Sequence, residues 1–303
     1  MKEKKQTTDS SLEKALKRFT TQERNWIDQG KQMYVQLQDR VTEALMANRF
    51  NEHYFIYSQP GFSKTYSTKK VCELNKIKAV KMDGSLGLFA FAADLAYVLI
   101  SAPKGKSKIP VIFDDCDSLF DKNNINVIKG MFDSERNILG YGKALGAQYH
   151  GLSEIQQAAI DEFRCEERSG FQIPTDRFTF ITLTNRPLAT GEEAENASDS
   201  KRVYKTDQAA VRRRVRYIDL SMDPEVAWGY CAYVVLAQGL IEKHIPKASL
   251  DLKLEMLTWS SPLNKWSKIS DRNLSLFEKM TKDYIMYPEN YLDYWHNSYV
   301  KTK

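Results

Sequence analysis

Lys64 and Thr65 stand side by side after a Pro-Gly turn in the stretch YSQPGFSKTYS, residues 57–67. A lysine and a hydroxyl residue in that position can serve a triphosphate: the ammonium reaches the β- and γ-phosphates and the hydroxyl can hold magnesium. Backbone N–H groups at the start of a following helix would cradle the phosphate oxygens. Set against the pattern G-x-x-x-x-G-K-[ST], the loop runs Ser58-Gln59-Pro60-Gly61-Phe62-Ser63-Lys64-Thr65, with serine at both pattern glycines. Gly61 keeps the tight turn. Serine carries a Cβ, so a positive φ at 58 or 63 would cost roughly 1 kcal/mol or more. Ser63 could avoid that cost by taking helical angles as the helix begins. Alone, the motif does not separate a phosphate loop from a Pro-Gly turn with an exposed lysine.

The stretch VIFDDCD, residues 111–117, supplies the missing partner. An apolar run ending in two carboxylates suits a strand whose tip faces the phosphates. Asp114 would orient magnesium through water, and Asp115 would polarise the attacking water. Aspartate at the second position is one methylene shorter than the more usual glutamate, so the water must sit closer or hydrolysis is slow. Asp117 is expected to cap the next helix.

These groups need elements that bring them together. HYFIYS (53–58), IKAVKMDG (77–84), IPVIFDD (109–115), FTFITLTN (178–185) and RVRYIDLS (214–221) are expected as strands. Helices are expected from Thr21, where Trp26, Gly30, Met33, Leu37, Val41 and Leu45 recur at three or four, and over 64–76, 86–102, 121–136 and 152–166. The polar stretch 190–205 reads as a mobile loop and residues 1–20 as a loose tail. Strands alternating with helices imply an α/β fold, a three-layer αβα core with a parallel sheet. Ligands of such sheets bind at the carboxyl ends of strands, and positions 58–65, 114–115 and 184–185 all fall there. After Met222 the pattern is helical and rich in Trp and Tyr, which divides the chain into a core over 21–221 and a small helical domain over 222–303.

With the loop and the acidic strand end in place, the chain resembles the AAA+ ATPases over about residues 50–280. Within that family it looks most like single-domain ATPases of tailed bacteriophages, where a Gly-Ser turn (Gly84-Ser85 here) precedes the second helix. The resemblance implies a P-loop core with ATP and Mg²⁺ bound by residues 58–65, Thr65 and Asp114 serving the metal. It implies that Asn185, with Thr184 as second choice, helps place the water; otherwise Asn185 only turns the chain before Arg186-Pro187. QAAVRRRVRYIDL (208–220) resembles the arginine-finger segment, with Arg213 and Arg214 foremost and Arg212 and Arg216 as alternatives. A solvated basic face or a nucleic-acid contact is the competing reading. A finger implies a homo-oligomeric ring or spiral. In a helical lid, Arg272 would contact the γ-phosphate, unless Asp271 pairs with it. Leu88 and Phe89 fall where many such motors place a pore loop, or they form the first buried turn of a helix. The insertion at 137–176, with Lys143 and Arg168, lies where some members carry a hairpin that tracks DNA. Tyr284, Tyr287, Tyr291, Tyr294 and Trp295 are lid core or a stacking surface for bases.

Composition narrows the class little. A net charge of +5 permits DNA contact without arguing for it. Four scattered cysteines without CxxC spacing suit a reducing cytoplasm, that of a host cell if a phage encodes the chain. The N-terminus has no apolar core of a signal peptide, and the run 86–102 carries Asp94 and is short for a membrane span. The expected task is ATP hydrolysis in DNA metabolism, with DNA or a replication protein as partner and no membrane. Two alternatives stay open: a superfamily 3-type viral DNA helicase, and a weakly hydrolysing or non-hydrolysing scaffold or clamp-loader-like subunit.

Overall fold

Strands form where β-favouring residues bury one or both faces. They are β1 (Tyr54–Tyr57), β2 (Val80–Asp83), β3 (Ile109–Asp114), β4 (Ile138–Tyr141), β5 (Phe171–Pro174), β6 (Phe178–Thr184) and β7 (Arg216–Asp219). This computed structural model describes residues 12–47, 52–83, 87–102, 105, 107–165 and 169–301. Gly84-Ser85 and Arg168 lie outside the described residues. Five strands make one parallel sheet in the order β2-β3-β6-β1-β7. Every residue of β6 is buried, so this middle strand is covered on both faces, and its run FTFITLT is correspondingly unbroken in bulk.

The chain divides into two compact units. The sheet unit holds Arg40–Ser58 and Thr65–Leu220; the helical unit holds the described residues up to Asp39, Gln59–Lys64 and Ser221 onward. In the sheet unit, α1 (Thr21–Met46) contributes its last turns, followed by α2 (Lys64–Asn75) and α3 (Leu88–Ser101). Leu88 and Phe89 are buried in the sheet unit's core, so they form the first turn of α3 and do not offer an exposed grip. The region 137–176 contains an antiparallel pair, β4 with β5, whose Leu139, Phe171 and Ile173 are fully buried. Lys143 is exposed beside it.

Several expectations are corrected. Residues 121–136 form no continuous helix but single turns at Ile125–Ile128 and Lys129–Phe132. The polar stretch 190–205 is helical: Thr190 and Glu193 make a reciprocal capping box for Gly191–Glu195, and a second helix runs Asp199–Arg214. That helix consumes Arg214, so β7 starts at Arg216. Within the stretch read as a loose tail, Leu12 and Phe19 are buried in the helical unit's core, and Ala15 is buried too.

The helical unit is built on close backbone approach. A Cβ on Gly30 would lie 2.1 Å from Tyr230 N, and one on Gly229 would lie 1.9 Å from Trp26 O. Only glycine lets α1 and the helix Pro224–Ala237 cross at that distance. Trp228, Trp266 and Trp295 are fully buried there. Of the C-terminal aromatics, Tyr284 and Tyr291 pack on this core, whereas Tyr287 and Tyr294 are exposed and stack on each other at 4.7 Å.

His53, just before β1, gives the sheet unit a pH dependence. Its Nδ1 accepts from Phe180 N–H at 3.2 Å, and its ring lies against Phe132 and Phe180. Burial first, and then the charge of Lys108, lower its pKa from 6.5 to about 4. The folded protein therefore holds His53 neutral where the unfolded chain protonates it. This contribution is complete above pH 6.5 and is lost as pH falls toward 4, about 3 kcal/mol in all. Guanidinium unfolding at about pH 7.5 and about pH 5 checks it: the parent should lose about 2 kcal/mol more than His53→Gln across that interval.

Candidate functional site

All five strands of the main sheet point the same way, so their carboxyl ends share one edge. The register sets Tyr57 level with Thr184, and Asp114 level with Leu183 and with Asp83. β6 stands between β1 and β3. The residues just past these ends, Ser58, Asp115 and Asn185, are thereby neighbours along that edge. Ser58 is buried and its N–H donates to Thr184 O at 3.3 Å, which ties the end of β1 to β6.

Thr65, on the first turn of α2, donates its hydroxyl to Asp114 Oδ1 at 2.8 Å, a contact between residues 49 apart in sequence. Asp114 is buried, and its other oxygen lies 3.2 Å from Lys81 Nζ. Asp115 turns outward with φ +55, the left-handed region, and accepts from Asn185 Nδ2 at 3.0 Å. Such backbone strain at a non-glycine residue gathers at functional sites. Asp117 is not a helix cap. It sits inside a short 3-10 turn whose N-cap position is Cys116, and its carboxylate accepts from the Thr184 hydroxyl at 2.7 Å. Arg186 Nε also reaches Asp117, at 3.5 Å. Thr184 and Asp117 thus make a second tie between the ends of β6 and β3, besides the Asp115–Asn185 pair.

Within the helical unit, the segment Gln59–Lys64 is held by side-chain contacts. The Gln59 amide clips Met222, donating to its carbonyl at 2.7 Å and accepting from its N–H at 3.2 Å. Gly61 has φ +80, and a Cβ there would lie 2.6 Å from Asn273 Cγ. Asn273 caps the helix Leu274–Met286 through Ser275 N–H at 2.9 Å. Ser63 does not take helical angles. Its φ is +51, and its hydroxyl lies 2.6 Å from the Tyr230 hydroxyl, which also donates to Phe62 O at 3.1 Å. The conformation a glycine would adopt freely is here held on serine by tertiary hydrogen bonds. Pro60 is exposed and Phe62 is buried edge-on against Tyr230. Lys64 is buried, and its Nζ donates to Gln59 O at 3.2 Å, folding the ammonium back over the loop.

The arginines differ sharply in their partners. Arg212 donates to Leu188 O at 2.8 Å and lies 3.6 Å over the Tyr217 ring. Arg214 pairs with Asp133 at 3.1 Å, and Arg216 with Glu43 at 2.6 Å. Arg213 is exposed, and among the described residues it has no hydrogen bond or ion pair; its guanidinium lies beside Gly191. Arg272 is likewise exposed without an ion pair among the described residues, because Asp271 is taken by Lys279 at 2.8 Å and does not pair with Arg272.

The structure therefore brings together Thr65 with Asp114, and Asp115 with Asn185. Sequence reasoning missed Lys81 beside Asp114 in the sheet unit and Tyr230 and Asn273 beside the loop in the helical unit, and it gave Asp117 the role of a cap. Lys81 carries a signal that could have found it, since it alternates with Asp83 on a strand whose end is level with Asp114. The others act through partners too distant in sequence to leave a local signal. No group of three or more His, Cys, Asp or Glu side chains converges among the described residues. Thr65 and Asp114 are hard oxygen donors one hydrogen bond apart, which fits magnesium, an ion usually held through one or two carboxylates plus substrate phosphates. All four cysteines are free thiols, and burial raises Cys116 to about 11, so it offers no thiolate. No helix among the described residues is long and apolar enough to cross a membrane. No protein-family model matches the chain and no curated protein matches it, so the functional reading rests on residues and geometry.

Proposed function

We propose that the chain is an AAA+-type ATPase that binds ATP with Mg²⁺ on the loop 58–65 and works as a homo-oligomer. The observation that carries this reading is the 2.8 Å hydrogen bond from Thr65 to buried Asp114. It joins the residue after the loop lysine to the acidic end of β3, where a triphosphate and its ion would need both. Backbone N–H groups at the start of α2 would receive phosphate oxygens, and no acidic residue stands in that first turn to repel them. Lys64 would turn its ammonium from Gln59 O to the phosphates. Thr65 and Asp114 would hold magnesium, which when bound neutralises charge on the phosphate oxygens.

Asp115 would accept the proton of a water aligned in line with the terminal phosphorus, while Asn185 fixes the carboxylate and the water. The water's oxygen bonds to phosphorus as the bond to the ADP oxygen breaks, and ADP leaves with the electron pair. Exposed Arg213 would act in a neighbouring subunit's site, and Arg272 on the terminal phosphate of its own. The helices of residues 222–303 would serve as the lid. DNA metabolism in a phage-infected cell, by helicase loading, remodelling or unwinding, is the proposed setting.

A non-hydrolysing scaffold is the second reading, favoured by the strained Ser63 and the short Asp115 carboxylate. Calorimetry with ATP and Mg²⁺, followed by steady-state hydrolysis with and without single- and double-stranded DNA, separates them. Binding with turnover stimulated by DNA is expected. Binding without turnover supports the scaffold, and absence of nucleotide affinity overturns both.

A further inference from the structure

Lys81 belongs to β2, the edge strand beside β3, on the same face of the strand as Asp83. Its Nζ lies 2.9 Å from Asp83 Oδ1 and 3.2 Å from Asp114 Oδ2. The Lys81 side chain is 47% exposed and that of Asp114 only 7%. With Thr65 on Oδ1, both oxygens of Asp114 are occupied: one by a hydroxyl, the other by an ammonium. A buried carboxylate left with a single hydroxyl donor would be costly, and the lysine relieves that cost.

A divalent ion at this corner needs the same carboxylate and the same electrostatic position. The ion, held by Thr65 and Asp114, and the Lys81 ammonium would compete for the charge of one carboxylate. A cavity of about 360 Å³ opens beside the pair, bounded by Thr65, Cys72, Lys81, Ile112, Asp114 and Leu183. It gives the lysine side chain room to move without shifting the strand. Asp83 remains at hydrogen-bond distance to keep the ammonium once it leaves Asp114.

We propose that Lys81 is a built-in counter-cation for Asp114, displaced toward Asp83 when magnesium binds with the nucleotide. This rests on the triphosphate reading given above. Lys81 is then a positioning residue: it offsets the charge of Asp114 before the metal binds and raises the concentration of divalent ion that the site requires.

Two readouts test it. The first is the affinity for a fluorescent ATP analogue in EDTA, which reports the loop without metal. The second is the midpoint of a Mn²⁺ titration, followed by electron paramagnetic resonance, on the full chain bound to non-hydrolysable ATP. In Lys81→Met the Mn²⁺ midpoint should fall about fivefold, the upper range for one partly exposed ion pair. Affinity in EDTA should not drop. Lys81→Arg keeps the charge and should stay within about twofold of the parent. A Mn²⁺ midpoint in Lys81→Met equal to or higher than the parent's, with nucleotide binding intact, overturns the role of Lys81 alone. A loss of affinity in EDTA also overturns it, by making Lys81 a phosphate ligand. If the parent binds no nucleotide with or without metal, the triphosphate reading fails and this proposal fails with it.

Discussion

On the proposed ATPase function, Lys64→Ala is expected to hydrolyse ATP at least about a hundredfold more slowly than the parent, the loss that follows removal of one preorganised donor to developing charge. Lys64 is buried, with its carbon stem folded across the loop and its ammonium 3.2 Å from Gln59 O. Alanine keeps the helix start, since it is the best helix former. It removes the one flexible cation that the loop carries next to Thr65. The loop's other anchors, the Gln59 clip on Met222 and the Ser63–Tyr230 contact, do not involve the lysine. The variant should therefore fold like the parent by circular dichroism and still lose nucleotide binding. Parent-like binding and turnover would remove Lys64 from the site.

If Arg213 is the finger of the proposed oligomer, Arg213→Ala should lose about a thousandfold in kcat, the lower range for a transition-state arginine supplied by a neighbour. Arg212→Ala and Arg214→Ala should lose far less. The difference comes from what each guanidinium already touches. Arg212 is spent on Leu188 O and the Tyr217 ring, and Arg214 on Asp133, an acid whose pKa is lowered by the Glu135 N–H first and by Arg214 among its other partners. To reach another subunit either would first have to break these contacts, whereas exposed Arg213 breaks none. Steady-state hydrolysis of the three variants checks the ranking. Mixing Arg213→Ala with Lys64→Ala in equal amounts adds a second test. In a randomly mixed assembly about a quarter of interfaces pair an intact loop with an intact finger, so activity should return. A mixture as inactive as its parts would place Arg213 in its own subunit's site or outside the chemistry.

Lys64 and Arg213 differ in how far the sequence alone supports them. Lys64 stands out because its neighbours Gly61 and Thr65 are local and the motif is contiguous. Arg213 and Arg214 are level in the sequence, because adjacent arginines at a helix end look alike until their partners are known. Asp117 illustrates the same limit. Its place after an apolar strand suggests a cap, yet Thr184 and Arg186, which take its carboxylate, come from β6 and the turn after it, 67 residues along in the case of Thr184. In the polar stretch 190–205 low hydrophobicity suggests a loop, while the capping box at Thr190 and Glu193 carries the helix signal that decides the matter.

From the order of residues alone came the alternation of strands and helices, the parallel sheet and the position of Ser58, Asp114, Asp115 and Asn185 at strand ends. These follow from short-range properties: side-chain periodicity, turn chemistry and bulk. The folded chain settled which arginine is unpaired, that Lys81 neutralises Asp114, and that Ser63 takes a glycine-like conformation held by Tyr230. Each of those depends on contacts between residues far apart in sequence, whose energies exist only after the strands are in register and the helices have packed.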